Sequence, residues 1–175
     1  MVSTKLVEEI KNSISIPVIE GSIRTYNKKL EELHPSVFLR MNYGYRSMHK
    51  DVVGVYHDDP FHRFIFISKK MPNYSKIWIL LHEIGHYLCD INKCKCNIDI
   101  EISEYHAMVY ALEECYNHNY IESLEDYIKN IIKYVNDGDK GNHRKGMLKL
   151  IKQKRWEKWK AKTNKKLTVI PFTVS

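Results

Sequence analysis

A chain of 175 residues is the size of one domain and can bury most of its apolar surface without disulfides. Its formal charge of +7 is uneven: residues 140–166 carry twelve Lys and Arg against the single acid Glu157, and removing that segment's +11 leaves the rest at −4. A basic body is thereby excluded, and any polyanion contact is assigned to the tail.

In chain order, Glu8 and Glu9 stand where a secretory signal would place apolar residues, and no apolar run approaches the roughly 20 residues of a membrane span. A soluble cytoplasmic protein with no membrane partner is expected. Residues 4–12 and about 22–34 read as short helices, parted by Ile16-Pro17-Val18, which cannot continue a helix. Val52–Tyr56 and Phe61–Ile67 are rich in β-branched and aromatic residues, and His57-Asp58-Asp59-Pro60 between them suits a turn, so a hairpin is expected over about 52–67. From Ser75 the apolar residues Ile77, Trp78, Leu80, Leu81, Ile84 and Leu88 recur at helical spacing, with Asn73 or Ser75 available as N-cap. Two more helices are expected over about 99–117 and Ile121–Val135. Residues 136–142, with two glycines among Asn and Asp, read as a loop, and a basic helix follows from about His143 to Lys162.

The chemistry-bearing motif is His82-Glu83-Ile84-Gly85-His86, an H-E-x-x-H pattern on the third of these helices. Residues i and i+4 share a helix face one turn apart, so both imidazoles can turn to one ion. Glu83, rotated roughly 100° from His82, then stands beside that ion as a base and not as a ligand. Gly85, with no Cβ, allows another segment to come close.

A catalytic zinc takes three protein ligands and keeps one position open. The 99–117 helix offers Glu101, Glu104 and His106. Positions 104 and 106 lie about 200° apart, so only one of them can reach the ion. Ala107 and Ala111 share a face with Glu104 and would let this helix pack closely on the H-E-x-x-H helix, which favours Glu104; Glu101, one turn earlier, is the alternative.

A strand pair, an apolar helix bearing HEIGH, and then Glu104-x-x-Ala107-x-x-Tyr110-Ala111 resemble the ImmA/IrrE family of gluzincin metallopeptidases over about residues 50–115. The resemblance implies an α+β fold: a mostly helical, zincin-like domain with a small antiparallel sheet beside the H-E-x-x-H helix. It implies Zn²⁺ as cofactor, His82, His86 and Glu104 as its ligands, and Glu83 as catalytic base. The chain departs from the family at Met108, where Asn is frequent, and at Leu112-Glu113-Glu114-Cys115, where a Leu-Leu-x-Pro stretch is frequent. Members of the family act in regulatory circuits, and those of mobile elements that resemble ImmA cut a repressor protein.

The expected function is therefore hydrolysis of a peptide bond in a specific intracellular protein, with a transcriptional repressor or regulator as the model substrate. The contrasting reading is a non-catalytic zincin-fold regulator acting on nucleic acid or an acidic partner through residues 140–166. Residues 1–139 are taken as the peptidase domain and 140–175 as a basic helix and tail docked on it. His118, His143, Tyr110 and Tyr120 are candidates for stabilising an oxyanion, and an extended substrate is expected to add to the edge of the 61–67 strand. Cys89, Cys94, Cys96 and Cys115 are read as reduced thiols, since their spacing does not suit a structural zinc site.

Overall fold

The computed structural model describes residues 4–33, 53–59, 61–92 and 100–136, the side chains of 100–102 and 132–136 apart. The expected loop at 136–142 and the basic helix lie essentially outside the described residues. Five helices are described, α1 (Thr4–Asn12), α2 (Ile23–Leu33), α3 (Asn73–Ile91), α4 (Ile100–Asn117) and α5 (Ile121–Asn136). Three strands, β1 (Val18–Gly21), β2 (Gly54–His57) and β3 (Phe64–Ser68), form one sheet in the order β1-β3-β2. The architecture is α+β, as expected, but the sheet is mixed.

The hairpin pairs β2 and β3 antiparallel, with Val55 opposite Phe66. β1 then adds parallel to the other side of β3, with Val18 opposite Ile65. The strand expected to offer a free edge is thus the central one, and the edge expectation for 61–67 is corrected: β2 has its outer side open among the described strands. Burial explains the placement. Phe64, Ile65, Phe66 and Ile67 are all at most 2% exposed, as a strand covered on both faces requires. Ile65 and Ile67 face the core of α1, α3, α4 and α5, while Phe64 and Phe66 pack on Tyr26 of α2. Each buried aromatic or aliphatic side chain contributes about 1.5–3 kcal/mol.

α3 is apolar almost all round because it is enclosed by the sheet, α1, α4 and α5. Neither Asn73 nor Ser75 caps it. Pro72 occupies the N-cap without a side-chain hydrogen bond; Asn73 Nδ2 donates to Thr4 Oγ1 at 3.2 Å and Ser75 Oγ to Asp126 Oδ2 at 2.7 Å. Tertiary partners have taken both side chains from the helix end.

Two further features set the frame. Glu20 of β1 accepts hydrogen bonds from Lys11 of α1 and Lys76 of α3, joining three elements at the surface. Burial works against its charge, but those two cations outweigh burial and hold its carboxyl below the ordinary value. The stabilisation it supplies is complete above its unfolded pKa and is lost as pH falls through the folded one. Between α4 and α5, Asn119 takes the left-handed conformation at φ 58°. Tyr120 N–H donates to Cys115 C=O at 2.8 Å and Asn119 N–H to Tyr116 C=O at 3.1 Å, a Schellman ending that turns α5 back along α3.

Candidate metal centre

The close approach of α3 and α4 is built on a residue without a side chain. A Cβ on Gly85 would lie 2.7 Å from Ala107 Cα, so α4 can lie this near α3 only because position 85 is glycine. Glu104, three residues before Ala107 and on its face, is thereby carried to the histidines of α3.

His82, His86 and Glu104 come together, with one ligand atom of each within 4.8 Å of the others. His82 Nε2 and His86 Nε2 are 3.2 Å apart. Glu104 Oε2 is 3.3 Å from the first nitrogen and Oε1 3.3 Å from the second. Each histidine thus faces a different Glu104 oxygen, at distances longer than the about 2.7–2.9 Å of a direct charged hydrogen bond, and one donor atom from each of the three residues is near enough to the others to turn onto a single ion. The rings stand nearly perpendicular, at 83°.

Each histidine is held from behind. His82 Nδ1 is 2.8 Å from Tyr127 Oη, and His86 Nδ1 is 3.0 Å from Ser103 Oγ. When Nδ1–H donates to the hydroxyl, the Nε2 lone pair is left facing the cluster, the tautomer a ligand needs. The cluster is largely enclosed, with His82 and Glu104 each 8% exposed.

Glu83 is buried to the same degree, and its partner is the open side of the sheet. Ser68 N–H donates to Val53 C=O at 2.9 Å, which turns the odd-numbered residues of β2 toward β3 and the even-numbered ones away. Tyr56 N–H accordingly points outward and donates to Glu83 Oε2 at 2.8 Å. A Cβ on Gly54 would lie 2.9 Å from Glu83 Oε1, so glycine there leaves room for the second oxygen.

The other sequence candidates fall elsewhere. His106 Nδ1 lies 3.8 Å from Cys89 Sγ, on another side of α4. The side chain of Glu101 is outside the described set. His118 pairs with Glu114 at 3.2 Å and stacks on Tyr120, at the far end of α4, roughly 20 Å along the axis from Glu104. Tyr110 packs on the core, and burial, then the Glu114 charge, pushes its hydroxyl up to about 12. His143 lies outside the described residues. Cys89 and Cys115 are in no disulfide, and burial raises the latter's pKa.

Tyr127, Ser103, Tyr56 and Gly54 are participants that sequence reasoning missed. Each acts through a contact between elements, and no local pattern marks it.

A helix bearing H-E-x-x-H, with a carboxylate from the next helix completing three donors, defines a metallopeptidase-like centre. Residues 41–115 match the family model of the IrrE N-terminal-like domain, peptidase family M78, so the resemblance to ImmA/IrrE-like peptidases holds over that segment. No curated protein and no solved structure matches the chain. No described helix is long and apolar enough to cross a membrane.

Proposed function

We propose that the chain is a zinc-dependent metallopeptidase that hydrolyses a peptide bond in a specific cytoplasmic protein. The observation that carries this reading is the convergence of His82, His86 and Glu104, one donor atom of each within 4.8 Å of the others, with Glu83 next in sequence to His82 and buried on the same helix. His82, His86 and Glu104 would hold the ion, which would supply Lewis acidity to polarise the scissile carbonyl and acidify water.

The protein's own contribution is orientation and proton transfer. Tyr56 N–H fixes one oxygen of Glu83, leaving the other to accept a proton from the attacking water and pass it to the departing amine. Burial around the centre excludes competing solvent and strengthens the fields at the reacting atoms. An extended peptide would lie along the outer side of β2, where the backbone groups of Gly54 and the Tyr56 C=O face away from β3, the Tyr56 N–H being held by Glu83. This replaces the edge of the 61–67 strand as the aligning surface. A regulatory protein such as a repressor is the substrate class the resemblance supports. The +11 charge of residues 140–166 supports contact with nucleic acid or an acidic partner.

The test is Glu83→Gln, assayed on a proteome-derived peptide library read by mass spectrometry, with zinc content measured in parallel. The variant should keep its zinc and lose about 10²–10⁴-fold in cleavage rate. Cleavage at the wild-type rate would remove Glu83 as base, and a zinc-loaded wild type that cuts nothing would favour the non-catalytic regulator.

A further inference from the structure

α5 lies beyond the segment that matches the peptidase family, which ends at residue 115. Its residues Asp126 and Tyr127 nevertheless grip three side chains along α3. Ser75 Oγ and Trp78 Nε1 both donate to Asp126 Oδ2 at 2.7 Å. The Tyr127 ring stacks on Trp78 with centroids 4.5 Å apart and planes within 6°. Its hydroxyl reaches His82 Nδ1 at 2.8 Å. Trp78 and His82 are one turn apart on the same face of α3, so a ring lying flat on the first carries its hydroxyl to the second.

We propose that Tyr127 is the positioning residue of His82, clamped by Trp78 and Asp126, and that α5 is thereby an integral part of the metal centre. This rests on the metal reading given above. A residue at Nδ1 stands on the ring edge opposite Nε2, so Tyr127 acts through His82 and is no catalytic group. Its work is to choose the tautomer and the ring angle. Stacking on Trp78 restricts the tyrosine ring, and the two donors to Asp126 keep Trp78 from rotating away. At 3% exposure, no water competes freely for the hydroxyl. Ser103 plays the corresponding part for His86 from within the matched segment, but with a small, unstacked side chain.

The experiment uses the full chain as wild type and Tyr127→Phe, which keeps the stacked ring and removes only the hydroxyl. Zinc affinity is measured by competition with a chromophoric chelator, the Co²⁺-loaded protein by its d–d absorption, and the zinc-free protein by thermal melting. Y127F should bind zinc about 10–100-fold more weakly and shift the Co²⁺ bands, while the zinc-free protein still melts cooperatively, its midpoint lowered only by the one lost hydrogen bond. Unchanged affinity and unchanged bands would overturn the proposal and leave the metal site standing. A wild-type chain that binds neither zinc nor cobalt would sink the metal reading and this one with it. Should Y127F not fold, the ¹⁵N shifts of the His82 ring in zinc-free wild type decide: the Nδ1–H tautomer supports the proposal and the Nε2–H tautomer contradicts it.

Discussion

A Cβ added to Gly54 would lie 2.4 Å from Ile79 Cγ2 and 2.9 Å from Glu83 Oε1, distances at which something must move. Ile79 is buried in the core and cannot yield, so the strand or the carboxylate shifts. Gly54→Ala is therefore expected to cut peptide hydrolysis by about tenfold or more while zinc content stays at the wild-type level, because misplacing a base by about 1 Å costs up to 10²-fold and no ligand is touched. Cleavage kinetics beside metal analysis checks this. At this scale the placement of His82, Glu83 and His86 was legible because all three fall within five residues of one helix, where the period alone sets their geometry. Glu104 was legible by the face it shares with Ala107, although Glu101 stayed open. Tyr127 was not, since it reaches His82 across 45 positions of chain.

At the scale of elements, the centre depends on how near α4 lies to α3. In Gly85→Ala the new methyl meets Ala107 Cα at 2.7 Å, a backbone atom that cannot swing aside, so the helices must part. We expect a loss of about 1–3 kcal/mol in stability, read by chemical denaturation, together with weaker metal binding, because Glu104 rides on the displaced helix. Helical stretches parted at Pro17 carried α1 and α2, apolar periodicity carried the three longer helices, and the hairpin showed in its β-branched runs and turn. β1 did not: four residues after Pro17 are too short to show a pattern, and parallel pairing with β3 joins segments whose closeness no local signal encodes. That omission misplaced the free edge of the sheet. The caps failed for a related reason, since Asn73 and Ser75 are claimed by Thr4 and Asp126, from distant elements.

For the whole molecule, the described residues form a main core around α3, on which α1, the sheet, α4 and α5 all pack, and a smaller cluster of Tyr26, Phe64 and Phe66 between the sheet and α2. The candidate metal donors come from α3 and α4, the proposed base accepts from β2, and one candidate ligand is backed by α5, so the site draws on most of that core. Charge is partitioned away from it, with +11 confined to residues 140–166. A metal that binds only the folded chain adds its binding free energy to stability, which ties the fold and the site together. The direct measurement is a crystal structure of the zinc-loaded protein with anomalous data on both sides of the zinc edge. One peak per chain is expected at about 2.0–2.1 Å from His82 Nε2, His86 Nε2 and a Glu104 carboxylate oxygen, with no fourth protein ligand. An empty triad, or zinc bound only elsewhere, would contradict it.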